Sequence, residues 1–358
     1  MPSHRGTCLV TGGAGFIGSA MSGALADSFD QVVAVDSLHP QVHPDRSRPA
    51  ALDPRVKLVV ADVSETTTWD DVLDGLSPDV VVHLAAETGT GQSLEESSRH
   101  ALVNVVGTTR MLDGFTRHGH LPSRIVLASS RAVYGEGLWE TSDGTRFYPP
   151  QRTAATLAAG SWDYAGAHPL PMDARVTEPA PVSIYGVTKL TQEQLLRVWS
   201  SAKGVDLAVL RLQNVYGPGQ SFSNPYTGIM TLFCRMARAG RSIPLYEDGA
   251  VRRDFVLIDD VARAVHAAAT SERVSDTPID IGSGEHQTIS DAAALIAQWY
   301  GAPEPHVTGQ FREGDVRHAW ADVTAASEFL NWTPAFDLRS GVDRLARWLD
   351  LQTLPPLD

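Results

Sequence analysis

Cysteine is scarce in this chain of 358 residues, which contains only Cys8 and Cys234, far apart in the sequence. This scarcity argues against a disulfide framework and against a cysteine-based zinc site. Long apolar runs are also missing, because none approaches the ~20 residues of a transmembrane helix. The amino terminus enters a strand-like segment at residues 7–11 without the apolar core of a signal peptide. We therefore expect a cytoplasmic protein without a membrane partner.

Basic residues are outnumbered by acidic ones, since 29 Lys and Arg face 42 Asp and Glu and give a formal net charge of -13. Nucleic acids and anionic membranes are normally bound by basic surfaces that release counterions. The charge therefore argues against a nucleic-acid partner, although local arginines could still hold an anionic small ligand. Two histidine pairs, His39 with His43 and His118 with His120, lack a completing carboxylate, so no metal site is predicted.

Short aliphatic and β-branched runs alternate with helix-sized segments along the first two thirds of the chain. The runs span residues 7–11, 31–36, 55–60, 79–85, 124–129 and 206–212. Nearly continuous apolar runs are typical of parallel strands that are buried on both faces. The alternation predicts an α/β fold with a doubly wound parallel sheet of the Rossmann type. One of the intervening segments, residues 93–119, is predicted to be a long helix that ends at a glycine.

Two regions depart from this alternation. Residues 136–181 form a proline-rich, aromatic insertion that is far longer than the median connection of ~5 residues. Such an insertion is either a lid or specificity element or a surface excursion without a role. After Pro218 the strands become sparser, which indicates a smaller carboxy-terminal lobe. We predict a Rossmann domain over residues 1–216 and a mainly substrate-binding lobe over residues 217–358, with residues 253–270 returning to the first domain.

A glycine-rich turn follows the first strand directly in the sequence TGGAGFIG. Its glycines read as G-x-G-x-x-G from Gly13, or as G-x-x-G-x-x-G in the overlapping register. They permit a tight turn and a close approach of backbone N–H groups to a pyrophosphate, and the next helix adds its positive end. Because the motif lies between a strand and a helix, it predicts a dinucleotide site. The predicted contacts are Gly12, Gly15, Phe16, Ile17 and Gly18.

Asp36 ends the second strand, eighteen residues beyond Gly18. A carboxylate there hydrogen-bonds the adenosine ribose and repels a 2′-phosphate, so NAD is predicted in preference to NADP. His83, at the end of the fourth strand, either touches the cofactor or is a core histidine with internal partners, and we favour the second interpretation. The other cofactor contacts predicted near the strand ends are Asp62, Val63, Ala85 and Ala86.

Tyr185 and Lys189 lie one helical turn apart on one face of a predicted helix, in the sequence SIYGVTKL. Alone, the pair would be an ordinary surface feature. Beside a nicotinamide, a tyrosine can act as the base that oxidation of an alcohol requires, provided that its pKa of ~10 falls. A fall to ~7 corresponds to about 4 kcal/mol, roughly what one cation ~4 Å away supplies at a dielectric constant of ~20. Because burial opposes this effect, we expect the nicotinamide to contribute a second charge and Lys189 to hold its ribose.

Motifs along nearly the whole chain resemble the extended short-chain dehydrogenases/reductases, and within them the nucleotide-sugar epimerases and dehydratases. The motifs are TGGAGFIG (11–18), HLAA (83–86), NVVGT (104–108), SSRAVYG (129–135), YGVTK (185–189), RLQNVYGPGQ (211–220), RRDFVLIDDVA (252–262) and REGDVRHAWAD (312–322). The resemblance implies NAD-dependent epimerisation at C4 of a dTDP- or UDP-hexose through a transient 4-keto intermediate. The alternatives are a 4-ketoreductase or dehydrogenase, a 4,6-dehydratase, and a catalytically silent dinucleotide-binding sensor.

The resemblance also implies roles for individual residues. It adds Ser130 to the catalytic set of Tyr185 and Lys189, with the serine hydroxyl bonded to the reacting sugar oxygen. Family dehydratases carry an Asp-Glu pair after this serine, whereas this chain has Arg131 and Ala132, which favours simple oxidation and reduction over elimination. The further assignments are Asn104, Tyr185 and Lys189 to the cofactor, and Ser130, Arg131, Tyr185, Asn214, Arg253 and Arg312 to the nucleotide-diphosphate sugar.

Two further expectations come from the same resemblance. Residues 224–230 are expected to line the nucleotide pocket. The segment 93–119 and the helix that carries Tyr185 are expected to form the interface of a homodimer, as a four-helix bundle.

Overall fold

The computed structural model describes residues 6–222, 228–273, 275–354 and 356–357. Its strands, in chain order, are β1 (Thr7–Thr11), β2 (Gln31–Asp36), β3 (Lys57–Val60), β4 (Val80–His83), β5 (Arg124–Ser130), β6 (Trp139–Thr141), β7 (Arg146–Phe147), β8 (Ala167–Pro169), β9 (Asp206–Leu212), β10 (Asn214–Tyr216), β11 (Pro244–Leu245), β12 (Arg252–Arg253), β13 (Phe255–Leu257), β14 (Ile279–Ile281), β15 (Gln287–Thr288), β16 (His306–Val307) and β17 (His318–Ala319).

The helices are α1 (Phe16–Ser28), α2 (Thr66–Leu73), α3 (Gln92–Glu95), α4 (Ser97–His100), α5 (Gly107–His118), α6 (Ala154–Ala158), α7 (Ile184–Lys203), α8 (Ile229–Arg238), α9 (Ile258–Thr270), α10 (Ile289–Tyr300), α11 (Thr324–Leu330) and α12 (Leu338–Asp350). A π-helical turn covers Ala101–Val106, and a 3-10 turn covers Arg131–Tyr134. Among the described residues, no helix combines the length and the apolar character needed to traverse a bilayer.

A seven-stranded parallel sheet forms the centre of the molecule, in the order β14-β9-β5-β4-β1-β2-β3. The predicted α/β fold with a doubly wound parallel sheet is confirmed. All six predicted runs are strands of this sheet, with ends that differ by up to two residues. The seventh strand, β14, lies well beyond them in the sequence and has only three residues. The order reverses at β1, whose neighbours β2 and β4 lead to opposite edges of the sheet.

Each central strand is buried on both faces, which explains its continuous apolar sequence. In β1, Val10 belongs to a core that includes Met21 of α1 and Val265 of α9. The adjacent Leu9 belongs to a second core, with Phe115 of α5 and Leu196 of α7. Successive strand residues point to opposite faces, so helices must cover both sides of the sheet.

The segment predicted as one helix over residues 93–119 is interrupted at Glu96, which corrects that expectation. It consists of α3, α4, the π-helical turn and α5. The predicted glycine end is present, because Gly119 adopts a left-handed conformation with φ of 69°. π-Helical turns are rare and occur frequently at functional sites.

The insertion folds into a small unit that packs against the carboxy-terminal part of the chain. Its three strands form an antiparallel sheet in the order β7-β6-β8, followed by a bridge between Met172 and Ala321. Met172 forms a small core with Val133 and Tyr134, which precede the insertion, and with Val316, which precedes Ala321 in the chain. The insertion is therefore fixed to the segment that precedes α11.

The carboxy-terminal third contributes both to a third, separate core and to the main sheet. Residues of α8, α10 and α12 pack together, including Phe233, Ile296 and Leu345. In the chain between α8 and α10, helix α9 packs against α1 and strand β14 pairs with β9. The chain therefore returns to the central sheet after building part of the lobe.

Candidate active site

The glycine turn is so tightly packed that side chains are excluded from it. Gly12 has φ of 66°, and a Cβ there would lie 2.7 Å from the backbone nitrogen of Ala85. A Cβ at Gly18 would lie 2.5 Å from the carbonyl oxygen of Gly13. Helix α1 begins at Phe16 with no side-chain cap and no acidic residue in its first turn, so its N–H groups are available to an anion.

The Asp36 carboxylate is fixed at the end of β2, beside this turn. It accepts hydrogen bonds from the backbone nitrogens of Ala14 at 3.0 Å and Leu38 at 2.9 Å. The buried carboxylate can accept hydrogen bonds from the ribose hydroxyls of NAD, and the N–H groups of the helix amino terminus can donate to its pyrophosphate. The residues present therefore fit the predicted cofactor.

Other residues predicted to touch the cofactor have clear structural partners. Asp62 closes a turn by accepting from the backbone and the hydroxyl of Ser64 at 2.8 and 2.7 Å. Val63 is buried in the second core. Ala85, half-buried beside Ala86, donates its backbone N–H to Thr11 Oγ1 at 3.2 Å.

Asn104 is completely buried, and its side-chain amide is engaged within the protein. Its Oδ1 accepts from the backbone nitrogen of Glu87 at 2.8 Å, and its Nδ2 donates to the Glu87 carbonyl at 3.0 Å. Nδ2 also donates to Thr188 Oγ1 at 2.9 Å, which links the π-helical turn to α7. This geometry favours a supporting role, in which Asn104 holds the segment after β4, over direct contact with NAD.

Tyr185 lies in the first turn of α7, close to the segment that follows β5. Ser183 caps the helix by accepting from the backbone nitrogen of Gly186 at 3.0 Å. Gly186 packs directly on this segment, because a Cβ there would lie 2.4 Å from the carbonyl oxygen of Ala132. This close approach brings Ser130 and Arg131 to Tyr185.

Burial raises the pKa of Tyr185, whereas a hydrogen bond with Ser130 and the charge of Arg131 act to lower it. The cation that acts on the phenol is thus Arg131 rather than Lys189. Burial is the largest cause, so the pKa of Tyr185 lies above its ordinary value. The predicted need for a further positive charge follows from this balance.

Lys189 is held from within α7. Its Nζ donates to Gln192 Oε1 at 2.6 Å, and burial lowers the pKa of Lys189 to about 7. Gln192 Nε2 donates to Thr108 Oγ1 at 2.8 Å and lies 3.2 Å from His83 Nε2.

His83 is a fully buried histidine with partners at both ring nitrogens. Its Nδ1 lies 2.6 Å from Thr11 Oγ1, and its Nε2 lies 2.8 Å from Thr108 Oγ1. Burial, followed by the charge of Lys189, lowers the pKa of His83 to about 3, so the ring is neutral at physiological pH. The structure therefore agrees with the core interpretation.

Two arginines predicted to bind substrate, the half-buried Arg131 and the buried Arg253, lie close enough for the charge of one to act on the other. Arg131 Nε donates to Asn214 Oδ1 at 2.7 Å. Arg253 donates to the carbonyl oxygens of Arg252 at 2.8 Å, Arg317 at 3.0 Å and Val316 at 2.6 Å.

Burial, followed by the charge of Arg253, lowers the pKa of Arg131 to about 9, which leaves it cationic at neutral pH. Burial also lowers the pKa of Arg253. Within the described part of the chain, neither guanidinium has a carboxylate oxygen within 4.0 Å. The pair is therefore suited to an anionic ligand.

Arg312, which is also predicted to bind substrate, is not among the contacts described for Arg131 and Arg253. Arg312 is exposed, and its guanidinium lies 5.2 Å from the centre of the Tyr246 ring. Of the predicted nucleotide pocket, residues 224–227 lie outside the described residues.

Sequence reasoning missed several residues that support the site. Gln192 could have been noticed from its spacing of three residues from Lys189, because such residues are neighbours on a helix. Asp280 could not, since its partner Tyr134 is distant in the sequence. The Tyr134 hydroxyl donates to Asp280 at 2.9 and 2.8 Å, and burial raises the pKa of this carboxyl to about 7.

The chain matches the NAD dependent epimerase/dehydratase family over residues 8–282. It is 54% identical over 341 residues to the dTDP-L-rhamnose 4-epimerase of Burkholderia thailandensis, covering 95% of this chain and 94% of that protein. It is also 28% identical over 338 residues to the UDP-glucose 4-epimerase of Mycolicibacterium smegmatis, covering 93% and 95% of the two chains.

Solved structures resemble the fold over almost its full length. The UDP-glucose 4-epimerase of Thermotoga maritima with UDP-glucose has a TM-score of 0.79 at 27% identity, covering 96% of this chain and 98% of the other. MoeE5 in complex with UDP-glucose and NAD has a TM-score of 0.74 at 29% identity, covering 96% and 98%. The predicted NAD cofactor is confirmed by the family and by this NAD-bound structure. The chain belongs to the NAD-dependent epimerase/dehydratase family, which confirms the predicted enzyme class of an NAD-dependent nucleotide-sugar epimerase.

Proposed function

We propose that the protein epimerises dTDP-L-rhamnose at C4, giving the dTDP-linked 6-deoxy-L-talose. The observation that carries this proposal is the 54% identity to the Burkholderia thailandensis dTDP-L-rhamnose 4-epimerase, maintained over 95% of the chain. The relatives named for UDP-sugars are far more distant, as the 28% identity to the Mycolicibacterium smegmatis protein illustrates.

Tyr185 is the proposed base and acid of the reaction. It takes the proton of the C4 hydroxyl during oxidation and returns it during reduction. Ser130, which hydrogen-bonds the phenol, is suited to hold the same sugar oxygen as it alternates between alcohol and ketone. When bound, NAD supplies the hydride acceptor and later the hydride donor.

The two interior arginines have distinct proposed roles. Arg131 favours the phenolate form of Tyr185 and is held toward the site by Asn214. Arg253 is proposed to bind the diphosphate of the substrate, because it is buried and its described contacts are backbone carbonyls. Guanidinium groups match phosphate geometry through paired hydrogen bonds.

Elimination of water is disfavoured by the residues that follow Ser130. A 4,6-dehydratase needs an acid and a base at the departing hydroxyl, whereas Arg131 is cationic and Ala132 carries only a methyl group. Among the alternatives, a 4-ketoreductase would use the same residues. It differs in stoichiometry, since a reductase consumes one NADH per product and an epimerase consumes none.

Proton NMR of the purified enzyme with separate dTDP-L-rhamnose, UDP-glucose and UDP-glucuronate samples, without added cofactor, tests the proposal. We expect new sugar signals of the C4 epimer only with dTDP-L-rhamnose. The matched variant Tyr185→Phe should keep its NAD content and lose most turnover. Faster conversion of a UDP-sugar, or conversion that requires stoichiometric NADH, would overturn the assignment.

We further propose that the protein is a homodimer. Val187 and Val198 lie on the same face of α7 and are 49% and 71% exposed, and Leu94 and Leu102 are also exposed on the neighbouring segment. Exposed apolar side chains on adjacent helices are suited to a partner surface. Light scattering should give twice the chain mass of 38.5 kDa, and the double variant Val187→Glu, Val198→Glu should give the mass of a single chain.

We also propose a cytoplasmic location, with which the two unpaired, buried cysteines agree.

A further inference from the structure

A group of polar side chains joins the segments that follow β2 and β4. The group, called the clasp below, is centred on Arg99 of α4. Arg99 Nη2 donates to Glu87 Oε2 at 2.7 Å and to Gln41 Oε1 at 3.2 Å, while Nη1 donates to Glu96 Oε2 at 2.7 Å. The members of the clasp are Gln41, Glu87, Gln92, Glu96 and Arg99.

The amides of Gln41 and Gln92 close the clasp from the other side. Gln41 Nε2 donates to Gln92 Oε1 at 3.0 Å, and Gln92 Nε2 donates to Gln41 Oε1 at 3.1 Å. Gln92 Nε2 lies 3.2 Å from Glu96 Oε1 as well. The side chain of Gln92 is buried, and that of Arg99 is only 29% exposed, so these contacts are partly shielded from water and salt.

The position of the clasp in the fold indicates its role. Strand β1 lies between β2 and β4, and its glycine turn faces the crevice in which a dinucleotide lies. Gln41 follows β2, on the adenosine side, and Glu87 follows β4, on the nicotinamide side. A bridge between these two segments must therefore cross the carboxyl end of β1.

The two ends of the bridge are anchored differently. The backbone of Glu87 is bound on both its N–H and its carbonyl group by the buried side chain of Asn104. The segment after β2 is tied to Asp36 at Leu38 and buries Leu38 and Leu52 in the core, whereas residues 40–48 between these two anchors are exposed or half-buried and form no helix or strand. The β4 end is thus the fixed side, and residues 40–48, which include Gln41, are the part that can open.

We propose that the clasp retains NAD between turnovers. The segment that carries Gln41 opens to release the cofactor, and the hydrogen bonds of Arg99 keep that segment closed. Retention matters for an epimerase, because loss of reduced cofactor after the first hydride transfer would strand a keto sugar. The inference concerns only the cofactor and does not depend on which sugar is the substrate. Failure of either proposal can therefore be recognised separately.

The test measures release of NAD from the full-length holoenzyme. Wild type, Gln41→Ala and Arg99→Ala are loaded with isotopically labelled NAD, chased with excess unlabelled NAD, and sampled over time. The Arg117→Ala variant is the matched control, since Arg117 pairs with Asp70 at 2.7 Å on a helix face outside the clasp. The loss of clasp hydrogen bonds should accelerate release about tenfold in both clasp variants.

Purified clasp variants should also contain less NAD per chain than wild type, as measured in an acid extract, while the control retains the wild-type ratio. Release rates within about twofold of wild type in Gln41→Ala would overturn the proposal, even if Arg99→Ala released NAD quickly. In that case the bridge to the β2 segment would have no part in retention. Gln41→Ala removes no charge, so it keeps the test valid if Arg99→Ala folds poorly.

Discussion

The ammonium group of Lys189 donates a 2.6 Å hydrogen bond to Gln192, three residues further along the same helix. This contact turns Lys189 toward Thr108 and His83, which are also bonded to Gln192 or lie beside it. The amine is therefore engaged by Gln192, and the cation that lowers the pKa of Tyr185 is Arg131. Lys189 must exchange or share this partner if it is to hold the nicotinamide ribose, whereas Arg131 acts on Tyr185 already.

Replacement of Arg131 by Gln should change the pH dependence of kcat. The charge of Arg131 lowers the pKa of Tyr185, so its removal raises that pKa and moves the acid limb of the profile to higher pH. If the midpoint of that limb rises by about one on the pH scale, the phenolate fraction below it falls about tenfold. The measurement is kcat for dTDP-L-rhamnose between about pH 6 and about pH 9.5, an order-of-magnitude working range for a tyrosine base.

Arg131→Lys is the matched control, because it keeps a positive charge and loses the Nε contact with Asn214. We expect it to restore most of the acid limb, even if KM rises. A profile of Arg131→Gln that keeps its midpoint and falls uniformly would mean that Arg131 only binds substrate.

Replacement of Glu193 should destabilise the helix that carries Tyr185 and Lys189. Glu193 forms a buried pair with Arg211, at 3.0 Å from Nε and 2.7 Å from Nη2, and accepts from the Ser129 hydroxyl. Glu193→Ala leaves a buried guanidinium unpaired, which typically costs about 3–5 kcal/mol. The measurement is the free energy of unfolding in urea.

Two comparisons separate this effect from ordinary loss of an ion pair. Arg347→Ala breaks an exposed pair with Asp343 and should leave stability nearly unchanged, because water and salt screen such a pair. The double variant Glu193→Ala, Arg211→Met should be more stable than Glu193→Ala, since the unpaired guanidinium is removed as well. If the double variant were the less stable of the two, the unpaired charge would not be the cause.

The buried imidazole of His83 should make stability depend on pH. Its folded pKa of about 3 lies below the ordinary value of 6.5, so the unfolded chain binds more protons between these values. Stability from this residue is complete above pH ~6.5 and declines as the pH falls, by about 1.4 kcal/mol between pH 7.5 and 5.5. Unfolding of wild type and His83→Gln at both pH values, with saturating NAD, measures the difference. Equal pH dependence in the two proteins would contradict it.

The sequence predicts those features that depend on neighbours along the chain. The strand runs, the glycine turn and the spacing of Tyr185 and Lys189 are all local patterns. The π-helical turn at residues 101–106 is different, because Asn104 there bonds to Glu87 and to Thr188, 84 residues away. No local periodicity contains that information. The three-residue strand β14 is likewise defined by its pairing with β9 rather than by its own length.

The position of the insertion likewise depends on residues that are distant in the sequence. Arg317 is completely buried and donates to Asp163 of the insertion at 3.0 Å from both Nε and Nη2. It also donates to Glu247 and, through two nitrogens, to Asp248, each at 2.8 Å. His318 Nε2 lies 2.9 Å from Asp163, so two adjacent residues hold the insertion at one carboxylate.

Asp163→Asn should therefore release the insertion locally without unfolding the protein. The carboxylate is half exposed, so we expect a loss of about 1 kcal/mol or less in global stability. Limited proteolysis followed by mass spectrometry should nevertheless show faster cleavage within residues 136–181, because the protease acts on the opened segment. Asp143→Asn is the matched control, since the hydrogen bonds described for Asp143 are with Thr141 and Thr145 of its own hairpin turn. Equal cleavage rates in the two variants would mean that its other contacts, among them the buried pair of Arg152 with Glu247 and the packing of Met172, suffice to hold the insertion in place.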